Sequence, residues 1–118
     1  MRPLLLALLS LLAASAGAAA PPPAPDGLAL FTNHCAGCHG DDGRARTRPG
    51  KKYSIPDFTE EGWSRDWPLA KVQHMVAEGV PEKMPGLKDK LTAAEIQAVS
   101  AWVLALAGPP QAQPAPLR

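Results

Sequence analysis

Cysteine is nearly absent from this 118-residue chain, which holds only Cys35 and Cys38. A disulfide between residues three apart closes too small a loop to stabilise much. A structural zinc site needs four ligands, usually from two separated pairs, and there is no second C-x-x-C and only His34 and His39 nearby. Net charge is also small: +1, and zero once Arg2 leaves with the N-terminal segment, because eleven basic residues then face eleven acidic ones. Nothing in that balance marks a nucleic-acid or anionic-membrane binder. Strand-like alternation of apolar and polar residues is missing as well. Leucine is dense only from Leu4 to Leu12, short of the roughly 20 strongly apolar residues of a spanning helix.

What is present begins with "MRPLLLALLSLLAASAGAAA", one basic residue, an apolar block and a small-residue end. That order predicts a secretory signal peptide over residues 1–19, cut after Ala18 or Ala19, since a cut after Ala20 would put Pro21 first. The competing reading is an uncleaved anchor, because the alanine tail stretches the apolar run to about spanning length. Residues 20–25 and 109–118 are proline-rich and poor in large apolar side chains, which predicts a linker and a disordered tail. One domain of about 83 residues, 26–108, remains. A chain that short buries a core only marginally and usually gains from a staple.

Three segments carry helical periodicity. Leu28, Phe31 and Cys35 share a face behind a capping Asp26. Leu69, Val72 and Val76 share another, with Asp66 or Trp67 at the start, Pro68 in the first turn and Gly79 at the end. Ile96, Val99, Trp102, Val103 and Leu106 follow a Thr92–Glu95 capping box, with Gly108, Pro109 and Pro110 as the stop. Between Gly40 and Trp63 glycine, proline and charge dominate. A loop that long in so small a domain requires something other than protein to hold it.

The stretch "HCAGCHG", His34 to Gly40, names that component. A thioredoxin-like dithiol needs a strand leading into the motif, and none precedes it. C-x-x-C-H is the signature of covalent c-type haem attachment. Cys35 and Cys38 can each add across a haem vinyl group to form a thioether, while His39 brings its imidazole under the iron. The haem then supplies the apolar surface that the loop and three helices lack.

With these residues assembled, the chain resembles the class I, small soluble monohaem cytochromes c over essentially all of 26–108. The resemblance implies an all-α cytochrome c fold, three main helices and long loops wrapped around one covalently bound haem. It sets Gly27 and Phe31 on the N-terminal helix, crossed by Trp102 on the C-terminal one. It also implies a distal methionine before that last helix, matched by Met84 in "EKMPGL". A thioether paired with histidine favours Fe(II) and raises the potential. Met75 reads instead as core, His74 as solvent-exposed, and His34 as too close to Cys35 to reach the other haem face. The family further implies a proline carbonyl, Pro49 or Pro56, accepting from His39. Trp63 or Trp67 either reaches a haem propionate or packs in the core.

The expected function is periplasmic electron transfer, one electron at a time, on a haem iron with axial ligands His39 and Met84. With both axial positions filled, the protein is not an enzyme by itself. Redox proteins are its partners, and a monomer is the family default. One alternative is a haem subunit of a larger oxidase or dehydrogenase, and another is a ligand sensor or peroxidase with a labile Met84. The basic run "GRARTRPGKK" reads as a solvated loop, or else as a patch that steers an acidic partner.

Overall fold

The computed structural model describes residues 17–108; most of the predicted export segment and all of the tail 109–118 lie outside the described residues. Helix α1 spans Gly27–His34, and the Asp26 side chain accepts from the Leu28 and Ala29 backbone N–H groups. It breaks at Cys35, and a one-turn helix α2, Ala36–His39, carries the rest of the motif. Helix α4 covers Leu69–Glu78, and α5 covers Ala93–Ala105 behind the Thr92–Glu95 capping box that the sequence predicts. The only strand-like pairing among the described residues is one isolated bridge, Val80 to Met84.

Two boundaries differ from expectation. Helix α4 starts after Pro68 rather than with it, because Trp63–Asp66 forms its own 3-10 turn just before. Segment 40–62 is not a structureless loop either. Thr47 caps a short helix α3, Arg48–Tyr53, with Pro49 in its first turn, where the missing N–H costs nothing. Backbone bonds from Ile55 to the Gly50 carbonyl and from Phe58 to the Gly43 carbonyl close the remainder.

Helix α5 packs on both α1 and α4. The shared core is Phe31, Phe58, Val72, Val76, Leu87, Leu91, Ile96, Val99, Val103 and Leu106. Phe31 is 0 % exposed, a burial worth about 1.5–3 kcal/mol. Its ring centroid lies 4.6 Å from that of Trp102. The helices approach this closely because Gly27 has no side chain: a Cβ there would sit 2.6 Å from the Ala98 carbonyl oxygen and 2.8 Å from Trp102 Cβ. Gly27→Ala is therefore expected to lower stability by about 1–2 kcal/mol, overpacking outweighing alanine's small gain in helix propensity. Urea unfolding of the haem-loaded protein checks this, and an unchanged midpoint would show that α1 and α5 separate without cost.

Candidate functional site

Cys38 and His39 sit on the one-turn helix α2, and Cys35 is the residue that bounds it at its N-terminal end. Cys35 and Cys38 are half-buried and not joined to each other. The Cys38 and His39 N–H groups both donate to the Cys35 carbonyl, at 3.1 and 2.9 Å. Burial, and secondarily the neighbouring Cys38, pushes the Cys35 thiol up to about 11. A redox dithiol requires the opposite, a thiol lowered toward neutral pH, so the oxidoreductase reading of C-x-x-C fails on electrostatics as well as topology.

Burial lowers the His39 pKa below its ordinary value. The imidazole is thus neutral at physiological pH, the form that ligates a metal. Its ring stacks on Phe58, centroids 4.8 Å apart, and Phe31 lies 6.3 Å away on a tilt. From Phe58 the aromatic row continues to Trp63 at 4.5 Å and on to Trp67 at 5.8 Å, where Lys71 Nζ lies 4.1 Å from the ring centroid. Neither the Pro49 nor the Pro56 carbonyl, nor any other described group, accepts from His39 Nδ1.

Nδ1 is one of four buried side-chain polar atoms without a partner among the described residues; the others are Trp63 Nε1, Ser100 Oγ and Trp102 Nε1. Such atoms are rare in a finished protein interior. Two of the four, on His39 and Trp63, belong to the aromatic row beside the cysteines. Two unpaired thiols, a neutral imidazole, an apolar wall and unsatisfied N–H donors fit a large apolar ring with polar edges. The same set does not fit an isolated metal ion, since no three His, Cys, Asp or Glu side chains converge among the described residues.

Met84 lies elsewhere in the chain, on a turn held against the end of α4. Val80 and Met84 exchange backbone bonds of 2.8 and 2.9 Å, and the Leu87 and Lys88 N–H groups donate to the Val76 and Ala77 carbonyls. Lys88 Nζ adds an exposed ion pair with Glu78 at 2.9 Å. Gly79, at φ +73°, has the Met84 carbonyl where a Cβ would stand, and Gly86 crosses equally close to the Ala77 and Glu78 carbonyls. Met84 is half-buried there, and Met75 is half-buried on α4, while His34 and His74 are exposed.

Sequence reasoning missed two members of this arrangement. Thr47 donates its hydroxyl hydrogen to the Cys38 carbonyl and accepts from the Gly50 N–H, tying α3 to the motif. A threonine one residue before Arg48-Pro49 was the available signal. Phe58, two residues after Pro56, carries no local signal for its stacking on His39.

Comparison with known proteins follows the same lines. Residues 22–103 match the family model described as cytochrome C oxidase, cbb3-type, subunit III. The chain is 31% identical over 83 residues to the cbb3-type cytochrome c oxidase subunit CcoP of Cereibacter sphaeroides, covering 70% of this chain and 27% of that protein. It is 32% identical over 85 residues to CcoP of Rubrivivax gelatinosus, covering 71% and 26%. The chain thus spans about a quarter of the length of these curated relatives. Among solved structures, the KustC0563 c-type cytochrome superposes with a TM-score of 0.65 at 32% identity, covering 69% of this chain and 96% of that one. Cytochrome c6C from Synechococcus sp. PCC 7002 superposes at 0.51 with 32% identity, over 66% and 89%.

Proposed function

The chain belongs to the cytochrome c oxidase, cbb3-type, subunit III family, and from that premise we propose that it is a single-haem electron-transfer protein of the bacterial periplasm. Its fold is that of the small class I cytochromes c, and its cofactor is covalently bound haem c with its iron. In this reading residues 26–108 are the haem domain, behind an export segment 1–19 and a linker 20–25, with 109–118 as a tail. The observation that carries the reading is the turn from Cys35 through α2, which sets two unpaired cysteines beside a half-buried histidine whose pKa burial lowers.

When bound, the haem supplies a one-electron Fe(III)/Fe(II) couple. Everything else is the work of this chain's side chains. Cys35 and Cys38 would tether the ring at two points, and His39, its ring stacked on Phe58, would hold the iron. Met84 would supply a second, sulfur ligand from a turn whose backbone is pinned to α4. The core around Phe31 excludes water, which raises the cost of the extra charge on the ferric state. With His39 and Met84 both holding the iron, the chain would carry electrons rather than catalyse a reaction.

The family match favours a second reading at the level of assembly: this domain serves as a haem subunit of a larger oxidase. Co-purification with a membrane complex tests that point. The core reading is tested by one visible spectrum of the secreted protein, oxidised and reduced. Low-spin c-type bands, and haem that stays with the chain in acid solvent, are expected. Haem that acid solvent extracts would overturn covalent attachment.

A further inference from the structure

The basic run is ordered in a way its sequence does not reveal. From Gly43 to Tyr53 there are five cations and no acidic residue. Gly43, Ala45 and Gly50 are buried and Thr47, Pro49 and Tyr53 half-buried, whereas Arg44, Arg46, Arg48, Lys51 and Lys52 are all exposed. The backbone sorts the segment so that every uncharged residue faces in and every cation faces out.

Three features hold that arrangement. The Ala45 N–H donates to the His39 carbonyl at 2.8 Å, from a left-handed backbone at φ +54°. Thr47 bonds the Cys38 carbonyl. At Gly50 the Ala45 carbonyl occupies the space a Cβ would need. The cations therefore stand on the carbonyl end of the very turn that carries Cys38 and His39. Their charge is also uncompensated locally. Arg44 lies 3.7 Å from Asp42 with both side chains about half exposed, a contact worth little, and among the described residues no ion pair engages Arg46, Arg48, Lys51 or Lys52. Asp41 and Asp42 flank the run only at its start.

Charge that stays largely unpaired in a chain of formal net charge only +1, fixed against the attachment turn, has a use where electrons enter or leave. Resting on the electron-transfer reading above, we propose that the outward face of residues 44–52 is the docking surface for a redox protein that presents carboxylates around its own electron-transfer centre. No large apolar side chain points outward from this face, so it offers a lipid surface nothing to insert, and complementarity of charge is what it provides. Such a surface accelerates encounter and orients it, and does so less as salt rises.

The test uses the ferric haem-loaded protein and an acidic flavodoxin in its hydroquinone form. One electron passes from the anionic hydroquinone to the haem-loaded protein, leaving the neutral flavin semiquinone with no proton released. The charge-reversed R46E/K51E/K52E protein is expected to lose about 10- to 100-fold in second-order rate at low ionic strength, and its rate should no longer fall with salt. R65E/K90E/R118E, which makes the same change in net charge elsewhere, should lose less than about threefold. The neutral R46Q/K51Q/K52Q protein should fall between, and it stands in if the reversed protein takes up no haem. Equal losses in the two reversed proteins, or none in either, would overturn the proposal. So would binding of the wild type to phosphatidylglycerol vesicles at about 0.15 M salt that the 46/51/52 reversal abolishes, since that would assign the face to a lipid surface. Reduction of each protein by dithionite to the same ferrous spectrum checks the electron-transfer reading separately.

Discussion

Replacing both motif cysteines, Cys35→Ser with Cys38→Ser, is expected to abolish covalent haem altogether. Serine oxygen does not form the thioether, and no other cysteine exists to take its place. Haem staining of the protein on a denaturing gel should fall to background, and the intact mass should drop by that of one haem. The fold should suffer too, because Cys35 packs on the edge of the core and a domain of this size has little burial to spare. Either single variant keeps one tether and should retain haem in part. Acid-resistant haem on the double variant would refute attachment through this motif.

Met84→Ala is expected to produce the second largest change, in redox behaviour rather than in haem content. In the proposed site, loss of a neutral, soft sulfur would remove the ligand that favours Fe(II). The midpoint potential should fall by on the order of a hundred millivolts, well inside the ~0.8 V range that axial ligands command. The weak sulfur-to-iron band of the ferric spectrum should vanish, and the reduced protein should bind carbon monoxide readily. Met75→Leu is the matched control and should leave potential and spectrum unchanged. If Met84→Ala behaves like the wild type and Met75→Leu does not, the distal ligand is on α4. If the wild type itself lacks the sulfur band and binds carbon monoxide when reduced, Met84 is labile and a sensor or peroxidase role replaces simple electron carriage.

Much of the scaffold was legible because its signals are local. Asp26 and Thr92 cap helices through bonds to N–H groups two or three residues on, and Gly79 ends α4 at the residue where a left-handed backbone is needed. The inward faces of α4 and α5 followed from spacing alone, with Val72, Val76, Ile96, Val99 and Val103 all buried. Composition alone conceals the helix within segment 40–62. Glycine, proline and charge do not prevent one and a half turns of helix when Thr47 supplies the cap and Pro49 occupies the first turn. The start of α4 shifted for a similar reason, the 3-10 turn at Trp63 having no periodicity to announce it.

By itself the sequence determined the chemistry that lies within one turn of chain: two thiols and an imidazole at C-x-x-C-H spacing, the ends of the main helices, and the apolar stripes they bury. Each depends on residues no more than a few positions apart, where bond geometry and helical pitch leave little freedom. Only the tertiary structure decided what meets those groups from a distance. It set Gly27 against Ala98 and Trp102, Phe58 against His39 and the Thr47 hydroxyl on the Cys38 carbonyl. It also pinned the Met84 turn to the last carbonyls of α4 and turned five cations outward while their uncharged neighbours were buried. Contacts of that kind are chosen by packing among separated segments, each accommodating the others' volume and hydrogen-bonding needs, and no local spacing encodes the outcome.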